Sequence, residues 1–564
     1  MPPHMRSPDG AGMLQTAPSN PSAQSGSSAV PNSSTRSFGQ SLLAMLGIGL
    51  VNMLVALDQT TVSTALPSIV ATLNGFGYYT WIASAYLLAQ VIAVPIFGRL
   101  GDYYGRKPFV LAAIATFTIA SALCAAAPTM GALIAARALQ GIGAGMMTGT
   151  AFASIPDLFP DPKARTRWQV VLAAAYGIGT SAGPSLGGFL TDHSGWRSTF
   201  LINLPVGLVA AWCVRRYLPR FVPAARGAVR IDYLGALLLS LSLACLLLAF
   251  GEVQSAAFLP PRAIVIACLP VLLGLFYACE KRAIAPIVPL GLLHNRQMIM
   301  LLCLSLLTGA IMFSLIFYVP LLLQAGFNLS ATDAGKLATP LAGSVAVGSL
   351  LNTRVVTRLR RPATVLLIGF SLLVLACAGV SGVTAGSGHV LLEMSLLCGG
   401  MGLGLILNNL NIFAQETAGQ RQVGIATSLI QSARMIGGLL GVSTIGAWVS
   451  WRYSTRVGGV LDALSGRTAS RPWAALFDDP QVLVDPHKQS MVLHRLANAP
   501  FSGDQAVESL RQMFVAVLHS GFYLTAGLGA LGLAIALTVL DIEFTKDTPA
   551  ARDETRGVGT SEIA

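Results

Sequence analysis

The chain has 564 residues, 54% of them hydrophobic and only 11% charged, with a formal net charge of +12. Soluble domains carry about 25% charged residues, so at a mean hydropathy of +0.66 this chain cannot cover itself with polar surface in water. A soluble enzyme is excluded, and the basic excess needs no nucleic acid to explain it, because the loops of a membrane protein account for it.

Residues 1–38 are rich in Ser, Pro, Gly and Ala and read as a disordered cytoplasmic tail. No cleavable signal peptide is expected, since Arg36 leads directly into a full-length apolar run. Runs near the roughly 20 residues that a spanning helix needs then recur to Leu540. They predict an all-α polytopic membrane protein with fourteen spans, at 41–66, 80–99, 108–127, 131–153, 168–190, 199–218, 232–251, 262–279, 298–323, 335–353, 363–382, 388–412, 424–449 and 516–540. The one long connection, Trp451–Met513, carries the charges, Pro and Gly of an aqueous loop, and its last part, Asp504–Met513, has the pattern of a short amphipathic helix. The eight cysteines lie in or beside apolar runs without metal-ligand spacing and read as small buried hydrophobes.

With the N-terminus inside, the inside loops hold Arg99, Arg106, Lys107, Lys163, Arg165, Arg167, Arg215, Arg216, Arg220, Arg226, Arg230, Lys281, Arg282, Arg296, Arg354, Arg358, Arg360, Arg361 and Arg421. The short outside loops hold only Arg197, Arg262 and Lys336. This bias places both termini in the cytoplasm of a multi-pass cell (inner or plasma) membrane protein.

Six of the spans or their edges carry polar groups or glycine ridges. Span one contains one acid, Asp58. A lone carboxylate in an apolar helix is costly to keep charged, which suits it to taking up and releasing a proton; the plainer alternative is an acid wetted near the outer interface and hydrogen-bonded to Thr60 or Thr61. The turn after span two reads Gly98-Arg-Leu-Gly-Asp102-Tyr-Tyr-Gly105-Arg106-Lys107. A topological basic loop explains Arg106 and Lys107 but not the Gly-x-x-x-Asp spacing. Span four holds Arg137 about six residues from its start, facing either a partner or a snorkelling route outward, and a ridge at Gly141, Gly145 and Gly149 suited to close helix packing. Span five repeats the ridge at Gly179, Gly183 and Gly187, with Pro184 and Gly188 beside it. Span thirteen carries Arg434, Gly437, Gly438 and Gly441, and Arg434 lies about 15 Å into the membrane at helical rise. Asn408, Asn409 and Asn411 of span twelve serve equally as ligand groups or interhelical hydrogen bonds. Tyr86, Gln90 and Gln431 are further cavity candidates, and Glu393 is a second titratable group.

Together these motifs resemble the major facilitator superfamily, in particular its fourteen-helix drug:proton antiporter branch, over about residues 40–545. Gly98–Lys107 is similar to the signature loop between helices two and three, Arg137–Gly145 to the helix-four motif, and Gly179-x-x-x-Gly183-Pro184-x-x-Gly187-Gly188 to the helix-five antiporter motif. Leu57-Asp58-x-Thr60-x-Val62-x-x-Ala65-Leu66-Pro67, Trp196-Arg197-x-x-Phe200-x-Ile202-Asn203-x-Pro205-x-Gly207 and Asp232-x-x-Gly235 also look like this branch. The resemblance implies a six-helix bundle over 39–220, two inserted helices over 221–296, a second six-helix bundle over 297–545 that includes the extracellular loop 451–513, and a cytoplasmic tail over 546–564. It makes span thirteen the counterpart of span five. It implies proton coupling at Asp58 and Arg137, and a cytoplasmic latch at Gly98, Asp102, Gly105 and Arg106 in which Asp102 holds the start of span thirteen. The implied activity is export of small amphipathic or apolar compounds against protons by alternating access, with no cofactor and the proton gradient as energy source. A dedicated exporter of one endogenous metabolite and a transport-inactive sensor are the alternatives. The expected partners are the lipid bilayer, protons and a small molecule; a periplasmic adaptor bridging a second membrane leaves no mark in the sequence. Thr61, Ser63 and Thr64 are more polar than the helix-one motif usually is.

Overall fold

The computed structural model describes residues 38–151, 162–219, 232–250, 262–283, 286, 291–359, 361, 363–384, 389–419, 423–465, 473, 476–477, 480–496 and 502–539. The predicted tails, part of the 451–513 loop and the side chain of Asp102 lie outside the described residues.

Among the described residues there are fourteen helices of fifteen residues or more: α1 Phe38–Leu73, α2 Tyr79–Tyr104, α3 Arg106–Ala126, α4 Met130–Ala151, α5 Pro162–Ser194, α6 Asn203–Tyr217, α7 Tyr233–Phe250, α8 Arg262–Arg282, α9 Arg296–Leu321, α10 Ala331–Arg358, α11 Thr364–Ser381, α12 His389–Ala418, α13 Val423–Ser465 and α14 Gly503–Val539. Twelve segments are long and apolar enough to cross a membrane, and Leu234–Leu246 of α7 is a shorter apolar helix. α5 is not among the twelve; its first turns carry Lys163, Arg165 and Arg167.

Three boundaries differ from expectation, each because a helix continues past the predicted limits of its span. α1 runs through Pro67 to Leu73. α13 is 43 residues long and extends well into the predicted loop. The amphipathic stretch from Asp504 is the opening of α14, not a separate helix, since no Pro or Gly interrupts the chain before Val517. At about 1.5 Å per residue, α13 spans about 64 Å, twice a bilayer core of about 30 Å.

The packing repeats with an offset of eight helices. α1 packs on α5 and α6, α2 on α4, and α3 on α4 and α6; likewise α9 packs on α13 and α14, α10 on α12, and α11 on α12 and α14. The two sets meet through α5 with α10 and α2 with α13, which exchange under the same relation, and through α1 with α9. This is the pairing of two bundles about a pseudo-two-fold axis. α7 and α8 pack on each other, with α7 against α2 and α13.

Glycine makes the tightest of these contacts possible. On α5, a methyl group at Gly183 would overlap Thr60 Oγ1, and one at Gly187 would lie 2.6 Å from Thr61 Cα. The α13 ridge meets α9 in the same way, with Gly437 on the Leu306 carbonyl and Gly441 on that of Ala310. Side chains there would hold the helices apart, and in lipid van der Waals packing is a main source of helix association.

Call the end where α1 starts proximal and the end where it stops distal. The distal end is sealed across the two sets. Tyr79 Oη donates to the Phe317 carbonyl at 2.8 Å, and Gln324 Nε2 to that of Thr64 at 2.8 Å. Asp192, at the end of α5, accepts from the Ala331 and Thr332 amides at 3.3 and 2.7 Å, so a carboxylate caps the N-terminus of α10. Ser185 and Thr339 hydroxyls meet at 2.7 Å. From the distal loop, Gln481 Nε2 donates to the Val70 and Ala71 carbonyls at 2.8 Å each, satisfying the exposed end of α1.

Candidate functional site

Asp58 is fully buried on the face of α1 turned toward α3, α4 and α6. Arg137 Nη1 donates to its Oδ2 at 2.7 Å. Its Oδ1 accepts from Gln140 Nε2 at 2.7 Å and from Asn203 Nδ2 at 3.0 Å. The second protons of both amides reach Ser121 Oγ, at 2.8 and 3.3 Å. Gln140 Oε1 accepts from Arg137 Nη1 at 2.7 Å. The guanidinium carbon of Arg137 lies 4.3 Å from the centre of the Tyr86 ring and 5.9 Å from that of Phe200. Four helices thus supply a charge pair whose remaining lone pairs and protons are largely engaged, the condition under which such a pair is tolerated at low dielectric. The carboxylate is therefore neither alone nor wetted, and Arg137 does not snorkel. Thr60 and Thr61 hydroxyls bond back to the carbonyls of their own helix.

The opposite face of α1 lines a central cavity. Ala56, Gln59, Thr60 and Ser63, at helical spacing, form its α1 wall; Tyr176 and Thr180 of α5, residues of α9, α10 and α12, and Arg434 of α13 complete it. α1 is the partition between the acid cluster and the cavity.

Of the predicted cavity residues, only Arg434 lines this cavity. Tyr86 is buried beneath Arg137. Gln90 is buried with Gln59 at 3.4 Å and Thr148 at 3.4 Å. Asn409 donates to Asn352 Oδ1 at 2.6 Å, joining α12 to α10, and Asn411 donates to its own helix at Leu407. Asn408 is exposed and Gln431 half-buried, and neither belongs to the cavity wall. Asn409→Leu should therefore lower thermal stability by about 1 kcal/mol and leave substrate preference unchanged; altered preference in a transport competition assay would return Asn409 to the binding site.

The α4 ridge faces α2, with Gly141 on the Tyr86 carbonyl, Gly145 on that of Gln90 and Gly149 beside Gly98. Gly179 meets the Met53 carbonyl, and Gly188 and Pro184 meet α10 at Ala331 and Gly335. Gly105 separates α2 from α3 with φ of +89°, a conformation that glycine adopts without strain. The aliphatic stem of Arg106 packs toward Gly101, whose added methyl group would lie 3.6 Å from its Cγ.

Ser121, Gln140 and Asn203 complete the acid cluster without having been singled out as site residues. Gln140 had a readable signal, three residues after Arg137 on the same helix face, and Asn203 stands in the Trp196–Gly207 motif; Ser121 comes from another helix and had none.

The Major Facilitator Superfamily profile matches residues 48–442. Multidrug transporter protein MdtP of Bacillus subtilis (strain 168) is 31% identical over 520 residues, covering 89% of this chain and 94% of that one. Multidrug resistance protein 3 of the same organism is 30% identical over 460 residues, covering 80% and 88%. The tetracenomycin C resistance and export protein of Streptomyces glaucescens is 29% identical over 455 residues, covering 78% and 81%. Among solved structures, a bacterial homologue of the human lysosomal transporter Spinster, in an inward-facing and unoccupied conformation, superposes with a TM-score of 0.59 at 16% identity, over 90% of this chain and all of that one. The profile match and these relatives, together with two sets of six helices packed in the same order, establish that the chain is a membrane transporter of the major facilitator superfamily, related to multidrug resistance and efflux proteins.

Proposed function

We propose that this protein spans the membrane fourteen times, with its proximal end in the cytoplasm, and exports small amphipathic or apolar compounds in exchange for protons. The single observation that carries this reading is the placement of Asp58 and Arg137 behind the helix that walls the cavity. A proton added to Asp58 removes one of its acceptor sites and cancels the charge that holds Arg137. The cluster must then rearrange, and α1 is the element it shares with the cavity. Protonation on one face of α1 and substrate occupancy on the other thereby bias the same two-state element, which is what exchange requires. The sealed distal end fits a state in which the cavity is loaded from the cytoplasm, with rocking of the two bundles then opening it outward. The names of the relatives support export, and the largely apolar wall supports an apolar cargo.

In inside-out vesicles, an acidic lumen should drive accumulation of fluorescent substrates, and a protonophore should abolish it. Accumulation of several unrelated compounds would mark a multidrug pump, and of a single compound a dedicated exporter. Accumulation that ignores the pH gradient would contradict proton exchange.

A further inference from the structure

Two arginines sit in the transmembrane region, Arg137 fully buried and Arg434 half-buried beside the cavity, and the protein treats them differently. Arg137 is neutralised by Asp58. Arg434 has no ion-pair partner among the described residues, and its Nε lacks a hydrogen-bond partner. It stands eleven residues into α13, about 16 Å from the helix start. No carboxylate belongs to the cavity wall, and Arg434 is the one charged residue among those that line it.

Across the cavity stands Tyr176, and the two occupy matching places in the repeated helices. Tyr176 precedes Gly179 and Gly183 of the α5 ridge by three and seven residues; Arg434 precedes Gly437 and Gly441 of the α13 ridge by the same intervals. The pseudo-two-fold relation thus sets a phenol opposite a guanidinium, and a phenol can donate to the same anionic group. The rest of the wall is largely aliphatic, with Met312, Leu315, Ile316 and Leu341 within it.

A cation held deep in the membrane without a partner is costly, and such residues line cavities where a counter-charge arrives. We propose that the counter-charge is the cargo: the cavity selects amphipathic organic anions, with an apolar body against α9 and α10 and a carboxylate or sulfonate on Arg434. Guanidinium is suited to this, since it pairs with carboxylate through two parallel hydrogen bonds. Permanently cationic compounds of the same size are disfavoured, because nothing in the wall neutralises them and Arg434 repels them. This rests on the exporter reading for its meaning but not for its test. It also has an energetic consequence within that reading. Exchange of one monoanion outward for one proton inward moves two positive charges inward per cycle, so the membrane potential drives it as well as the pH gradient.

The test is equilibrium binding to the full chain in lipid nanodiscs, with signal from empty nanodiscs subtracted. Three probes share one fluorophore and differ in charge: dansylglycine (anion), dansylamide (neutral) and dansylethylenediamine (cation). Dansylglycine is expected to bind at least tenfold tighter than dansylethylenediamine. Arg434→Gln should erase that difference while keeping dansylamide affinity within twofold, which shows an intact cavity. Arg434→Lys should retain most of the preference. Equal or tighter binding of the cation, absence of dansylglycine binding, or a preference that survives in Arg434→Gln overturns the proposal. Binding of the anion without any proton-driven movement in vesicles would instead sink the exporter reading and leave the charge preference standing.

Discussion

Asp58→Asn is expected to abolish proton-driven transport and to destabilise the protein by about 3–5 kcal/mol, the usual cost of removing one partner of a buried ion pair. The amide can still bond Gln140 or Asn203, but Arg137 is left charged, fully buried and without the counter-charge that Asp58 held at 2.7 Å. Loss of transport in that variant alone would therefore be ambiguous between lost coupling and lost folding. The double variant Asp58→Asn/Arg137→Met separates them. It removes both charges and keeps a side chain of similar length, so most of the stability should return, as it does when a buried pair is replaced as a unit. Transport driven by a pH gradient should not return, because no group in the cluster can take up the proton. Thermal unfolding reads the first effect and vesicle accumulation the second. Recovery of proton-driven transport in the double variant would remove Asp58 from the mechanism and leave the pair a structural one.

The second large effect is expected at the distal seal. Gly188 lies against the Ala331 carbonyl, and Gly335 against that of Pro184, at the place where Asp192 caps α10. Gly188→Val puts a branched side chain into that contact. Overpacking of this kind costs about 1–3 kcal/mol, and the cost falls only on the state in which the distal end is closed. The population open at that end should rise by about 5–150-fold. In a cysteine-free background carrying Ser63→Cys, whose parent residue lines the cavity, a membrane-impermeant maleimide applied from the distal side should label at least about fivefold faster once Gly188→Val is added. Unchanged labelling would mean that the seal is held elsewhere, for instance by Gln481 on the end of α1.

The fold was legible because a membrane makes sequence rules strict. Apolar length predicted each long helix, and the family resemblance made α13 the counterpart of α5, which their matching glycine ridges fit. Helix ends were read less well. Past the bilayer surface the hydrophobic signal fades, so the last turns of α13 fell in the predicted loop and the amphipathic opening of α14 was not joined to its span. At the site, Asp58 and Arg137 were visible singly, because a charge in an apolar run stands out. Their mutual contact was not, since 79 residues separate them and spacing within one helix says nothing about a neighbouring one. Polar residues such as Tyr86, Gln90 and Asn409 could not be sorted into cavity wall and helix glue for the same reason. Their hydrogen bonds run between helices whose rotation about their own axes the sequence leaves open. The lack of an ion-pair partner at Arg434 became visible only with its surroundings.

The central claim is that substrate and proton move in opposite directions through one protein. It is tested most directly with vesicles holding the full chain, oriented with the distal end outward and started with no pH difference. A pH-sensitive dye is inside, and the lumen is loaded with whichever dansyl compound binds tightest. As substrate leaves through the protein, the lumen should acidify relative to protein-free vesicles, and the Asp58→Asn/Arg137→Met variant should show no such change. Alkalinisation of the lumen, or equal acidification in the variant, would contradict proton exchange at Asp58.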